Sequence, residues 1–73
     1  MPVIDIKADV TGKVWKIEAQ PGASLGAGDP VMILESMKME IPVEAPKPGT
    51  LAAIVVDEGD SVKEGQVVAR IEV

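Results

Sequence analysis

The sequence predicts an all-β fold: a flattened barrel-sandwich of two four-stranded antiparallel sheets related by a quasi-twofold axis. Three observations predict it. Residues 1–36 lie on residues 38–73 without a gap, with nine identical pairs: Ile4/Ile41, Ala8/Ala45, Gly12/Gly49, Ile17/Ile54, Gly22/Gly59, Ser24/Ser61, Gly28/Gly65, Val31/Val68 and Glu35/Glu72. Two copies are too few for a solenoid and indicate an internal pseudo-twofold. Short runs rich in Val and Ile are broken by Gly and Pro every few residues, the mark of strands joined by tight turns. No window repeats apolar residues at i, i+3, i+4 and i+7 for long enough to make a helix, and the prolines oppose one.

Each half supplies four strands. The first gives 3–7, 12–19, 24–26 and 31–36; the second gives 39–44, 49–56, 61–63 and 67–73. Gly22-Ala23, Gly28-Asp29 and Gly59-Asp60 suit turns in which glycine takes positive φ at little cost. In the second strand Val14, Ile17 and Ala19 are core candidates, yet the step from 14 to 17 breaks the period of two. Leu51, Ile54 and Val56 break it at the same place. A bulge at each position would return both sets to one face and bend the sheets into a closed sandwich.

The chain has 73 residues and reads as one domain over 1–73, with no cysteine and no histidine. It must therefore rest on a small aliphatic core, without disulfides. The commonest general base and metal ligand is missing, and no metal-ligand spacing is evident among the acidic residues. A net charge of −5 with no basic stripe and no aromatic platform argues against nucleic acid. No run is long enough to span a bilayer, and no signal-peptide pattern is present, so no membrane partner and a cytoplasmic protein are expected; a monomer is expected as well. Trp15 is the only aromatic residue; it is read as a cap on the core edge, with a docking role as the alternative.

The centre of the repeat is Glu35-Ser36-Met37-Lys38-Met39-Glu40. Met37-Lys38 reads as the two-residue turn of a hairpin between 31–36 and 39–44. Such turns favour Asn-Gly or Asp-Gly, because both central residues need positive φ. A turn that breaks this rule at a hairpin tip is where strain serves function. Because the repeat aligns Lys38 with Met1, the pseudo-twofold exchanges this turn with the chain termini. Lys38 should therefore sit at one end of the molecule and the termini at the other.

Met37-Lys38-Met39 between Glu35 and Glu40, set at the centre of a gapless repeat, resembles the modification motif of the biotinyl domains, the biotin carboxyl carriers. The two glycine frames resemble the halves of the biotinyl/lipoyl attachment fold. Ser36 stands where many family members have alanine. Residues 19–31 match 56–68 without a gap, which leaves no room for the inserted thumb of some bacterial carriers. Met1 leads almost directly into the first strand, so a free-standing carrier is expected, with a piece of a longer subunit as the alternative.

The resemblance implies covalent biotin on Lys38, attached by a biotin protein ligase. Met37, Met39, Glu35, Glu40 and Ser36 become candidates for ligase recognition. Glu35 also has a structural reading, because Glu72 matches it in the other half, and the two methionines could instead fill core. In the family a carboxyl group passes from a biotin carboxylase to a carboxyltransferase on the attached biotin, so the chain is a carrier and not an enzyme. A lysine amine is nucleophilic only when neutral, and at pH 7 lysine is overwhelmingly ammonium. With no histidine and two glutamates nearby, this chain has nothing with which to activate its own lysine, so a separate ligase must do so. The closest alternative is a lipoyl carrier, or dual attachment of biotin and lipoate with a lipoate ligase as partner. Its motif typically reads Asp-Lys-Ala, which the flanking methionines do not match. An unmodified β-sandwich interaction module is the alternative from another class.

Overall fold

The apolar runs and their glycine breaks become eight strands in a computed structural model, which describes residues 2–73. They are β1 (Val3–Lys7), β2 (Gly12–Ile17), β3 (Ser24–Leu25), β4 (Pro30–Ser36), β5 (Met39–Glu44), β6 (Gly49–Ile54), β7 (Ser61–Val62) and β8 (Val67–Glu72). One sheet has the order β1-β8-β6-β3 and the other β5-β4-β2-β7, with every pairing antiparallel. Advancing each strand of the first sheet by four generates the second, so the sequence repeat is a repeat of topology. Among the described residues no helix is long and apolar enough to cross a membrane.

Both anticipated bulges are present. The β2–β4 register skips Trp15 between Val14 and Lys16, and the β6–β8 register skips Ala52 between Leu51 and Ala53. Val14 and Leu51 are buried, and Ile17 and Ile54 return to pack against the core. The second and sixth strands are shorter than the sequence suggests. They end at Ile17 and Ile54 because the chain then turns: the N–H groups of Glu18 and Ala19 both donate to the Val31 carbonyl, at 2.9 and 3.1 Å. Ala19 and Val56 still enter the core, from outside the strands. β3, β7 and β8 each stop one residue early, and β4 begins one residue sooner, at Pro30. A first strand position suits proline, which brings no N–H to the ladder. Pro42 lies in an edge strand for the same reason.

Among the described residues no polar or charged side chain is buried. Three pairs of large core members are repeat partners: Val14 with Leu51, Val31 with Val68 and Leu34 with Ile71 are all at most 1% exposed, while Met32, the largest, is matched by Ala69. Gly12 and Gly49 occupy equivalent close approaches. A Cβ on Gly12 would lie 2.5 Å from the Glu35 carbonyl oxygen, and one on Gly49 would collide with that of Glu72. These two glycines therefore let the start of β2 and of β6 press on the end of β4 and of β8.

The register fixes the ends of the molecule. Gly12 opens β2 beside Glu35 and Ser36, at the hairpin end. Beyond β2 the Gly22 N–H reaches the Leu51 carbonyl at 2.7 Å, and Leu51 stands opposite Ile71. The Val73 N–H donates to the Pro2 carbonyl at 2.9 Å, closing β8 on β1 as the hairpin closes β4 on β5. The β4–β5 turn and the contact between Pro2 and Val73 thus lie at opposite ends of a body 36 × 17 × 17 Å. The repeat partner of Lys38, Met1, lies outside the described residues.

Candidate functional site

Lys38 is placed by the ladder beneath it. β4 and β5 pair from Pro30↔Glu44 up to Ser36↔Met39, leaving Met37 and Lys38 as the only residues of the turn. Both have positive φ, 51° and 64°, and they are the only non-glycine residues to do so among those described. This is the left-handed pair that a two-residue hairpin matching strand twist demands. It costs side-chain-bearing residues about 1–2 kcal/mol each. The strain holds the Lys38 Cα at the apex of the molecule instead of along a strand.

The hairpin is braced from one side. The Ser36 hydroxyl donates to the Thr11 carbonyl at 2.8 Å, and the Thr11 hydroxyl accepts the Glu64 N–H at 3.1 Å. The β1–β2 and β7–β8 connections are thereby tied beneath the tip. Gly12 completes the support by admitting β2 against Glu35. Thr11 and Gly12 were not among the candidates read from sequence. Thr11 had a signal: its repeat partner is Pro48, which lacks the hydroxyl.

The candidates divide into two groups. Lys38 is exposed, and among the described residues its ammonium makes no hydrogen bond or ion pair. Met37 and Met39 beside it are 92% and 63% exposed, so neither fills core. Glu35 and Glu40 are exposed and stand opposite each other one row below, with Lys13 opposite Glu35 on the other side. Ser36 is different: it is half-buried, and its hydroxyl is committed to Thr11. What Glu35 shares with Glu72 is a backbone carbonyl packed on glycine; nothing in the structure explains why both side chains are carboxylates.

A groove between β1 and β5 is lined by residues such as Asp5, Lys7, Val43 and Glu44, none of them a candidate. An exposed amine at an apex is open to approach from solvent. The exposed Lys38 side chain also fits a tethered group on Nζ.

The chain is similar in sequence and in fold to known proteins. A family described as "Biotin-requiring enzyme" matches residues 5–71. The chain is 38% identical over 66 residues to the biotin/lipoyl attachment protein of Bacillus subtilis, covering 90% of each. It is 37% identical over 67 residues to the biotinylated protein TB7.3 homolog of Mycobacterium leprae, covering 92% of this chain and 94% of that one. The urea carboxylase of Kluyveromyces lactis superposes with a TM-score of 0.93 at 38% identity over 99% of this chain, which is 6% of that enzyme. With the match running from β1 to β8, and with the tip lysine at the apex of the paired sheets, this chain belongs to the biotin/lipoyl attachment family.

Proposed function

We propose that this protein is a non-catalytic carrier on which biotin is joined by an amide to Nζ of Lys38. The observation that carries this reading is the Met37-Lys38 turn: two side-chain-bearing residues held at positive φ, with the lysine exposed at the end of the molecule. The chain contributes presentation. β4 and β5 hold the apex, Ser36 and Thr11 brace it, and the exposed methionines and glutamates around it are what a ligase reads.

A biotin protein ligase would supply the base and the acyl-adenylate. Nζ gives up a proton, attacks the acyl carbonyl and forms the amide as AMP leaves. Attached biotin supplies the carboxyl-carrying chemistry, which no residue of this chain replaces. The chain adds a tether that keeps the group at high effective concentration near its partners. Those partners are a biotin carboxylase and a carboxyltransferase; carboxylases that contain a similar domain support them. Biotin is favoured over lipoate by the methionines on both sides of Lys38.

The test is the intact mass of the protein after co-expression with a biotin ligase or, separately, a lipoate ligase, with peptide mapping of any adduct. One biotin on Lys38 and none on Lys7, Lys13, Lys16, Lys47 or Lys63 is the expected result. A lipoyl adduct in the second case would make the chain a dual carrier. No adduct in either would leave an unmodified β-sandwich module.

A further inference from the structure

The repeat provides an internal control for surface function, because each outward position on one sheet has a partner on the other. On the sheet that carries the hairpin, the bulge puts Trp15 and Lys16 outward together, between buried Val14 and half-buried Ile17. Lys16 stands opposite Ile33, and Ile33 opposite Pro42. The equivalent row on the other sheet is Ala52, Ala53, Arg70 and Asp5, where Arg70 Nε meets Asp5 Oδ1 at 3.3 Å. One face thus has an ion pair where the other has a surface indole, 49% exposed, beside an isoleucine and a proline. A duplicated core explains the shared positions; it does not explain a tryptophan on one outer face alone.

Distance ties that face to Lys38. Trp15 lies between the third and fourth residue rows below the turn, about 10–13 Å at ~3.3 Å per residue. Stable protein interfaces bury about 800 Å² on each partner. A body only 17 Å across cannot supply that at its apex alone, so a partner that seats on the tip must also cover one flank. The ligase needs such seating more than the carboxylase components do. It has to bring a bare lysine nitrogen within reacting distance of an acyl group, with no tether to help. It must also pass over Lys13 and Lys16, which share this flank.

We propose that the outer face of the hairpin's sheet, centred on Trp15 with Ile33 and Pro42 beside it, is the surface on which the biotin protein ligase seats. The indole is its anchor, in keeping with the place of tryptophan at interface hot spots. This inference rests on the carrier reading above. It adds that recognition extends beyond the Met37–Met39 tip, to one flank and not the other.

The experiment measures ligase kinetics with this chain as acceptor, in excess biotin and MgATP, by intact mass. Trp15→Ala removes a half-exposed side chain that lies outside the core, so the fold should persist, as a melting curve would show. KM for the carrier should rise about ten-fold or more with kcat little changed, as expected when binding alone is lost. Trp15→Phe should recover part of the loss, and Arg70→Ala on the opposite face should leave KM unchanged. Docking is read apart from transfer in a Lys38→Arg background, by calorimetric titration of the ligase loaded with biotin and ATP. Adding Trp15→Ala there should weaken Kd by a similar factor. An unchanged KM and Kd, or a loss equal to that of Arg70→Ala, would overturn the docking face. Intact docking without any transfer to the wild-type chain would instead overturn the carrier reading.

Discussion

Lys38 differs from the other five lysines in backbone before it differs in side chain. Its φ of 64°, with 51° at Met37, puts its nitrogen where no strand neighbour reaches it. Lys38→Arg should keep the fold and melting temperature while abolishing attachment, since guanidinium stays protonated and is not a competent nucleophile. Biotin detected on that variant would remove Lys38 from the assignment. Met37 bears the other left-handed conformation at 92% exposure, with no packing to offset its strain. Asparagine adopts that conformation readily, so Met37→Asn should stabilise the chain by about 0.5–1 kcal/mol, a rise of a few degrees in Tm. If Met37 is read by the ligase, the same variant should be a poorer acceptor. A stabilised variant biotinylated at the wild-type rate would show that the turn's shape suffices.

The hairpin works because of what lies beneath it. β4 is a central strand between β5 and β2, and β2 closes on it only where Gly12 allows. Gly12→Ala should cost about 1–3 kcal/mol, because its Cβ would meet backbone that cannot swing away. Denaturant titration would show this as a lower midpoint at constant m; an unchanged midpoint would mean the β2–β4 contact is looser than the structure places it. The bulges belong to this level too. Each removes one residue from the ladder, yet both sets of apolar side chains stay on one face, which lets short strands curve around a common core.

Across the molecule, stability is shared by two equivalent halves. Leu34 and Ile71 are repeat partners, both 0% exposed, one in each sheet. Leu34→Ala and Ile71→Ala should each cost about 2–5 kcal/mol, a large share of what a domain of this size possesses. A loss under 1 kcal/mol at either site, by thermal melting, would contradict a jointly packed core. The Asp5–Arg70 pair, by contrast, is about half exposed and holds little stability, in keeping with surface ion pairs of about 0–1 kcal/mol. The outer faces of the two sheets differ: the hairpin's sheet carries the lysine turn and the indole face, and the other carries the Asp5–Arg70 ion pair.

Composition and period determined much of this. The gapless repeat carried the strand count, the quasi-twofold, both bulges and the placement of Lys38 opposite the termini, because identical spacing of apolar residues and glycines imposes identical register. The rule-breaking Met-Lys turn marked the candidate site, since few residues tolerate the φ it needs. Strand ends at Ile17 and Ile54 were not legible, because they depend on where the Glu18 and Ala19 N–H groups find the Val31 carbonyl across the sheet. The bracing of Ser36 by Thr11 joins residues 25 positions apart, and Trp15 reads as a core cap until the bulge turns it outward. Only the tertiary structure decided these, because each depends on a contact between segments whose proximity no local pattern encodes.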